Sequence, residues 1–361
     1  MRRHASFGMP AHTPMRRAEP VRSLDGAMRP NIHCHLVNGP FGDPVVYADV
    51  MFERRAMLFD MGDISALPAR KLMRVSHAFV SHAHMDHFAD FDHLLRLVLG
   101  RGKTIHLYGP AGFIDRTEHK LHAYTWNVAR RYAGNLALDV YEVHDDGTLC
   151  SARFECSSAF RRQTMPEQRM QGDVLASCGP LQIRCAVLDH GTPCLGFAVE
   201  EPVHVNIWKT KLAAMELSVG PWLHNLKRAV LDDLPATTPI QAWRPIGATV
   251  TLPLAALRDV VQTVPGQKIA YVVDVRNHAD NVARIERLTR GADLLFIECA
   301  FLEADLAHAL RKNHLTARQA GLVAREARVK ELVPCHFSTR YAGRGDALSE
   351  EARRAFSGLA S

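Results

Sequence analysis

The chain has 361 residues, of which 47% are hydrophobic and 23% are charged. This composition is typical of a globular protein with enough apolar side chains for a sizeable core. No apolar run approaches the ~18 residues that a membrane-spanning helix needs, so we expect no membrane span. The net charge of +6 lies mostly in residues 1–30, which contain six Arg and two acidic residues. The charge of the whole chain is therefore weak evidence for a nucleic-acid partner.

Residues 1–30 are polar, contain Pro and show no periodicity. We interpret them as a disordered basic segment, with Met28 as an alternative start of the protein. They lack the apolar stretch of a secretory signal. Eight cysteines are scattered along the chain without a C-x-x-C pair, which predicts reduced thiols and a cytoplasmic protein. Residues 31–361 are predicted to form a single domain.

After the first 30 residues, short apolar runs alternate with stretches of helical periodicity. His33 and His35 are interpreted as part of an edge strand rather than as metal ligands. The predicted strands are Val45–Val50, Ala56–Phe59, Ser76–Ser81, Thr104–Tyr108, Leu136–Val143, Leu181–Leu188, Ile269–Val273, Asp293–Ile297 and Glu331–Val333. The predicted helices are Phe91–Leu99, Ile114–Arg131, Ala279–Thr289, Glu303–Lys312 and Thr316–Ala327. This order predicts an α/β protein whose sheets are covered by helices.

Two segments do not follow this pattern. Residues 158–180 contain three Arg and no clear periodicity, which predicts a loop. Residues 201–250 are rich in Pro, Trp, Lys and Arg, with Gly220-Pro221 near the middle. We interpret this second segment as an insertion that lies outside the core.

The most informative segment is Ser81-His82-Ala83-His84-Met85-Asp86-His87, which directly follows an apolar strand. Three imidazoles and a carboxylate within six positions suit Zn²⁺ and similar divalent ions. His82 and His84 alternate along the chain, so an extended backbone directs both imidazoles to one side. Asp86 and His87 stand where a helix would begin and can face a second ion. A chance cluster on a solvated loop is the alternative, but this spacing after a strand favours a metal site.

The motif alone cannot supply two coordination spheres. His190, Asp274 and His336 are further candidates, because each follows the end of a predicted strand. For any one of them alone, a core or surface role would be more common than a ligand role. Functional residues of open α/β folds collect at the carboxyl ends of strands, however, and this favours all three together.

The motif H-x-H-x-D-H at residues 82–87, with a later His, Asp and His in that order, resembles the metallo-β-lactamase superfamily. The resemblance implies an αβ/βα sandwich, with two sheets between outer helices and a two-metal site at one edge of the sheets. The upstream Leu58-Phe59-Asp60-Met61-Gly62-Asp63 also resembles the strand and turn of that superfamily. It implies that Asp60 supports the ligand loop from behind the metal ligands.

The second half of the chain resembles ribonuclease Z, the family of endonucleases that trim tRNA 3′ ends. Residues 293–301 resemble its D-x-L-x-x-E-x-x-F stretch, and residues 313–320 resemble its H-S-T…Q-A element. His336-Phe337-Ser338-Thr339-Arg340-Tyr341 resembles its H-x-S-x-R-Y stretch. The insertion resembles the flexible arm with which the family grips tRNA away from the cut. The resemblance implies precursor tRNA as the partner and these substrate contacts: Arg340, Lys209, Lys211, Lys227 and Arg228.

The same resemblance implies two divalent metal ions, with zinc as the expected metal. One ion would be held by His82, His84 and His190. The other would be held by Asp86, His87 and His336, with Asp274 shared between the two. The resemblance further implies that Asp86 serves the attacking water and that the imidazole of His314, held by Glu298, protonates the leaving 3′ oxygen.

Several of these side chains have simpler interpretations. His314 could be a surface residue at a helix cap, and Glu298 a structural acid at the end of a strand. Arg340 and Tyr341 could be ordinary packing residues. The fold and the metal site do not depend on which interpretation holds for these four residues.

Three functions are compatible with this sequence. The leading hypothesis is a metal-dependent phosphodiester hydrolase that resembles ribonuclease Z. A second hypothesis keeps the fold but assigns a small phosphodiester, ester or lactone as substrate, and such an enzyme would not need the insertion. A third is a nucleic-acid-binding or metal-sensing protein without catalysis, and a proton donor beside the metals argues against it. A homodimer is compatible with each.

Overall fold

The computed structural model describes residues 31–51 and 55–359 of the chain. The segment predicted to be disordered, residues 1–30, lies outside the described residues. No helix within the described ranges is long and apolar enough to cross a membrane. All eight cysteines lie in the described part, and none of them forms a disulfide.

The first eight strands form one sheet in the order of the sequence. The four central strands β3 to β6 run parallel, and the strands outside them pair antiparallel. β1 lies at one edge, which confirms the interpretation of His33 and His35 as strand residues. The strands are β1 Ile32–Leu36, β2 Val46–Val50, β3 Arg55–Phe59, β4 Val75–Phe79, β5 Lys103–Pro110, β6 Leu136–Val143, β7 Thr148–Glu155 and β8 Arg162–Arg169.

Ten further strands follow, and six of them form a second sheet in the order β18-β17-β16-β11-β10-β9. β16, β17 and β18 run parallel, whereas β11 runs antiparallel to both β10 and β16. The strands are β9 Val174–Cys178, β10 Leu181–Asp189, β11 Pro193–Glu200, β12 Val203–Ile207, β13 Pro239–Trp243, β14 Thr249–Pro253, β15 Val261–Pro265, β16 Lys268–Val272, β17 Leu294–Glu298 and β18 Leu332–Cys335.

The helices lie mostly between strands that share a sheet. They are α1 Ala69–Leu72, α2 Met85–Phe88, α3 Phe91–Val98, α4 Phe113–His122, α5 Lys209–Ala214, α6 Trp222–Leu231, α7 Ala279–Thr289, α8 Leu306–Lys312, α9 Ala317–Glu326 and α10 Gly345–Ser357. A capping box at Thr316 and Gln319 sets the start of α9, because each side chain bonds the other residue's backbone N–H.

The two sheets pack face to face through an aromatic layer. Phe59 and Phe79 of the first sheet contact Phe197 of the second, with ring centroids 6.0 and 5.4 Å apart. The other face of each sheet is also apolar, because α3 and α4 cover the first sheet and α7, α9 and α10 cover the second. Burying one such aromatic side chain contributes about 1.5–3 kcal/mol. The result is the αβ/βα sandwich that the resemblance implies.

Residues 203–265, which we call the arm, lie outside both large sheets. β12 and β15 pair antiparallel at its base, and β13 pairs with β14 further out. Trp222 and Leu226 of α6 are buried in an apolar cluster made of arm residues. The arm contains most of the segment predicted as an insertion at residues 201–250, and continues to residue 265.

Two predicted elements are wrong. The helix expected over Ile114–Arg131 ends at His122, where the indole N–H of Trp126 bonds the carbonyl of Leu121. The loop expected at residues 158–180 contains β8 and β9. All eight residues of β8 are exposed, so the strand carries no apolar alternation and is held through backbone pairing with β7.

Candidate metal centre

The predicted site residues come together at the carboxyl ends of strands. β10, β16, β17 and β18 all point in one direction, and they end next to His190, Asp274, Glu298 and His336. β4 of the facing sheet leads into the loop that carries the His82–His87 motif. The topology therefore gathers distant residues, such as Asp86 and His336, which are 250 positions apart in the chain.

Asp274 lies at the centre of this cluster. Its Oδ2 is 3.4 Å from Nε2 of His82, 3.4 Å from Nε2 of His190 and 3.3 Å from Nε2 of His87. Its Oδ1 is 3.1 Å from Nδ1 of His336. Burial alone would raise the pKa of Asp274, but the imidazoles of His336 and His87 hold it well below its usual range. One ionised carboxylate thus faces four imidazoles.

The candidate ligand atoms form overlapping groups whose members all lie within 4.8 Å of one another. One group holds the first half of the motif together with His190 and the shared carboxylate, and another holds the second half together with His336. The groups are His82, His84, His190 and Asp274; Asp86, His87 and His336; and Asp274, Glu298, His314 and His336.

The unpaired polar atoms of these residues fit divalent cations. Among the described residues, Nε2 of His82, Nε2 of His87, Oδ1 of Asp274 and Nδ1 of His336 are buried, and although they lie close together, none has the angles of a hydrogen bond. Leaving one such atom unpaired costs about 1–3 kcal/mol, so a native structure rarely leaves four together. Burial lowers the pKa of His82 to about 2, which leaves its imidazole in the neutral form that binds metals.

Asp60 supports the motif from behind, as the resemblance implies. Its Oδ2 accepts hydrogen bonds from Nδ1 of His87 at 2.8 Å, from Oγ of Ser81 at 2.9 Å and from the hydroxyl of Tyr271 at 2.6 Å. Its Oδ1 accepts from the backbone N–H of Ser81 at 2.6 Å. These bonds fix the imidazole of His87 with Nε2 directed towards Asp274.

Three of the site residues adopt a backbone conformation that favours glycine. The φ angles of Asp60, Asp274 and His336 are 57°, 53° and 55°. This left-handed region costs a residue with a side chain about 1–2 kcal/mol. Such strain persists where the surrounding structure over-determines a geometry, and it is concentrated at functional sites.

His314 and Glu298 form a pair at the edge of the cluster. Nδ1 of His314 donates to Oε2 of Glu298 at 2.7 Å and lies 3.8 Å from Oδ1 of Asp274. Oε1 of the buried Glu298 accepts from the backbone N–H of Val275 at 2.7 Å. Burial alone would lower the pKa of His314, but the carboxylate of Glu298 raises it to about 9. The imidazole is therefore protonated at neutral pH. The residue that caps α9 is Thr316 and not His314.

The predicted substrate contacts have other partners and settings than the cluster residues. Arg340 is exposed, and its Nε is 3.6 Å from Oδ2 of Asp305. Tyr341, beside it, is buried in the core under the second sheet. The four predicted basic contacts of the arm lie on α5 and α6, where all but Lys227 are exposed: Lys209, Lys211, Lys227 and Arg228.

Sequence reasoning did not identify Tyr271 or Asn313. Tyr271 stands in an apolar strand, and its partner Asp60 is 211 positions earlier in the chain, so no local pattern marks its hydroxyl. Asn313 begins the stretch 313–320 that carries the resemblance, but the resemblance implies no role for it. Its carbonyl accepts a hydrogen bond from Nδ1 of His190 at 2.9 Å, a contact that only the tertiary structure reveals.

Comparison with known proteins agrees with this architecture. Residues 57–260 match the model of a family described as a beta-lactamase superfamily domain. A ribonuclease Z of Deinococcus radiodurans is 31% identical over 300 residues, which is 82% of this chain and 86% of that protein. A ribonuclease Z of Nocardia farcinica is 29% identical over 84% of this chain and 85% of that protein.

Among solved structures, unliganded yeast PDE1 aligns with a TM-score of 0.50, covering 90% of this chain and 93% of that one. Its sequence identity of 9% supports a shared fold and no more. The match to the family model and the 31% identity across most of both chains reach further than the fold. The chain therefore belongs to the β-lactamase superfamily and, within it, to the ribonuclease Z family.

Proposed function

We propose that this protein is a tRNA 3′-processing endoribonuclease that hydrolyses a phosphodiester bond of precursor tRNA in a metal-dependent reaction. The observation that carries the proposal is the hydrogen bond between His314 and the buried Glu298, with Nδ1 of His314 lying 3.8 Å from Oδ1 of Asp274. A protonated imidazole beside a cation site is suited to a reaction whose leaving group needs a proton. The relatives named ribonuclease Z, which align over most of the chain, support the same substrate class.

We further propose that the site holds two divalent ions, and that the ions are zinc. His82, His84 and His190 would hold one, and Asp86, His87 and His336 the other, with Asp274 shared. A set rich in imidazole favours zinc over magnesium or calcium, which prefer oxygen ligands. When bound, such ions lower the pKa of a water molecule and offset the negative charge of a phosphodiester.

Asp86 is positioned to orient the attacking water and to take its proton. Its Oδ2 is 3.4 Å from Nε2 of His87 and 3.5 Å from Nε2 of His336, and 44% of its side chain is exposed. Burial would raise the pKa of Asp86, but hydrogen bonds from His336 and His87 lower it, so the carboxylate is ionised at neutral pH. An ionised, solvent-accessible carboxylate can accept a proton at the step where His314 gives one.

His314 would complete the reaction by protonating the 3′ oxygen that leaves. The hydrogen bond from Nδ1 to Glu298 keeps that nitrogen out of the reaction, so Nε2 is the atom that would donate. The same bond fixes the orientation of the ring. Asp86 and His314 thus divide the work, because one accepts the proton of the nucleophile and the other supplies the proton of the leaving group.

The arm would bind the body of the RNA. It presents Lys209, Lys211 and Arg228 on exposed helix surfaces, and Nζ of Lys211 lies 4.8 Å from the ring centre of Trp208. Three exposed cations on one small module suit contacts with phosphates. A hydrolase of small esters would gain nothing from such a module.

The test is to incubate metal-loaded protein with a precursor tRNA and with bis-p-nitrophenyl phosphate side by side. We expect cleavage at the 3′ end of the tRNA body that stops when a chelator is added. Hydrolysis of the small diester without cleavage of any precursor tRNA would favour the small-molecule alternative. Activity on neither substrate, with two metals bound, would contradict the proposal.

A further inference from the structure

Three loops that carry predicted site residues meet on one side of the metal centre. The loop after β10 carries His190, the loop after β16 carries Asp274, and the turn between α8 and α9 carries His314. Hydrogen bonds among other residues of these loops connect them to one another. The connection runs through Asn313 and Arg276.

Asn313 contacts the β10 loop with its backbone and with its side chain. Its carbonyl accepts from Nδ1 of His190 at 2.9 Å, and its Nδ2 donates to the carbonyl of His190 at 3.1 Å. It adopts a left-handed conformation with φ of 61°, which turns the chain after α8. The next residue is His314, so a shift of Asn313 would displace the ligand and the proton donor together.

Arg276 joins Asn313 to the other two loops. Its Nε donates to Oδ1 of Asn313 at 2.8 Å, and one of its terminal nitrogens donates to Oδ2 of Asp189 at 3.1 Å. Arg276 lies two residues after Asp274. The buried Asn281 closes the arrangement, because its Nδ2 donates to the carbonyls of Asp189 and Arg276 at 2.9 and 2.8 Å.

We propose that Asn313 and Arg276 form a clasp that positions the metal ligand His190 and the proton donor His314 as one unit. The inference rests on the proposed function, because it gives His314 its catalytic role. Both are positioning residues, because they act through His190 and His314 and are not themselves proposed as a metal ligand or a proton donor. Bonds that orient ligating imidazoles generally change metal affinity 10–100-fold when they are lost. A clasp predicts a second effect on proton donation, which simple support of His190 does not.

The test uses Asn313→Gly and Arg276→Ala in the full-length protein. Glycine accepts φ of 61° without strain and keeps the carbonyl that bonds His190, so only the side-chain bonds are lost. The bond to the imidazole of His190 is then retained but the loop that carries its acceptor is released, so we expect metal affinity, measured by competition with a chelator, to fall by up to about tenfold. With the metal sites saturated, we also expect the ratio of RNA cleavage to activated-ester cleavage to fall, because the turn that places His314 against Glu298 has lost its bonds to the neighbouring loops.

Two comparisons show whether the effect belongs to the clasp. The double variant should lose no more metal affinity and RNA cleavage than the more impaired of the two single variants, because either change releases the same connection. Arg328→Gly is the matched control, since Arg328 is an exposed residue with φ of 55° at the end of α9, and it should change neither quantity. Unchanged metal affinity and an unchanged ratio would overturn the proposal, and so would losses that multiply in the double variant. If the wild-type protein cleaves no RNA, the proposed function fails, while chelator competition still tests the hold on His190.

Discussion

The environment of Asp274 explains why the site would bind cations strongly. Four imidazoles surround one fully buried carboxylate, and several of their nitrogens have no partner among the described residues. Burial would lower the pKa of His87, but Asp274 and Asp60 raise it well above its usual value. The two carboxylates therefore favour a positive charge at that position. A proton supplies part of this charge, whereas divalent ions would supply more of it and would also bind the unpaired nitrogens.

At the residue scale, we predict that Asp86→Ala lowers kcat for every substrate by more than 100-fold while the protein stays folded. Asp86 is partly exposed and lies outside the apolar core, so its loss removes chemistry rather than packing. Steady-state kinetics and thermal unfolding measure the two effects. Asp92→Ala is a suitable control, because Asp92 lies on nearby α3 and pairs with Lys120. A kcat within about tenfold of wild type, only ~1.4 kcal/mol in barrier, would contradict the assigned role.

The second residue-scale prediction concerns His314→Ala. An RNA 3′ alkoxide is a poor leaving group and needs a proton, whereas p-nitrophenolate leaves readily without one. We therefore expect RNA cleavage to slow by about 10²–10⁴-fold and cleavage of the activated ester to slow far less. Metal content, measured by elemental analysis, should stay unchanged.

The partner of His314 provides the control. Glu298→Gln keeps a hydrogen-bond acceptor near Nδ1 but removes the charge that raises the pKa of His314, so RNA cleavage should fall by a smaller factor. Equal losses of both substrates in His314→Ala would indicate a ligand or structural role. If His314→Ala cleaves both substrates as fast as the wild type, His314 is not the proton donor, and the main argument for a tRNA-type nuclease fails.

At the element scale, the structure separates the candidate metal centre from the arm. Every predicted ligand stands at or beyond the end of a strand or in the turn that follows it, on the two large sheets. The arm has its own apolar cluster and joins the core through the paired strands β12 and β15. Because Ile207 and Val261 are directly paired, a short turn can join them and replace the residues between.

We predict that this replacement damages cleavage of precursor tRNA much more than hydrolysis of a small phosphodiester. Remote binding energy matters only to substrates that reach the remote site. The comparison is kcat/KM for the two substrates in the replaced and wild-type proteins. Equal losses would mean that the arm supports the fold of the metal centre instead of holding RNA.

The charges of the arm can be tested without removing it. We predict that changing Lys209, Lys211 and Arg228 to Gln weakens RNA binding and makes it less dependent on salt, by about one unit of the logarithmic slope for each lost phosphate contact. Arg353 and Arg354 on α10, which pair with Glu350, are matched controls. Binding isotherms at several salt concentrations measure this slope, and an unchanged slope would exclude these residues as phosphate contacts.

At the scale of the whole molecule, we predict about two zinc ions per chain in protein purified without chelator. The ions would bind the folded state and not the unfolded chain, so their removal should lower the melting temperature. Elemental analysis and thermal unfolding before and after chelation measure both effects. One ion or none at full loading would contradict the dinuclear site.

The sequence by itself determined the motif at residues 82–87, nine strands of the two large sheets, five of the helices, and the family. These features are local or follow from spacing along the chain, so periodicity and ligand chemistry reveal them. It missed β8, because an exposed edge strand has no apolar alternation, and it extended one helix past His122. It also missed β7, β11 and α10. Backbone pairing with β7 holds β8 in place, and the contact between Trp126 and Leu121 lies where the helix ends.

Only the tertiary structure decided how the dispersed residues meet. Asp60 and Tyr271 are 211 positions apart, and Asn313 and His190 are 123 apart, yet each pair shares a hydrogen bond. Their contacts depend on which strands lie side by side and on left-handed turns at Asp60, Asp274 and His336. Sheet order and turn conformation arise from the packing of the whole domain, because local propensity alone would not favour three strained turns at one site.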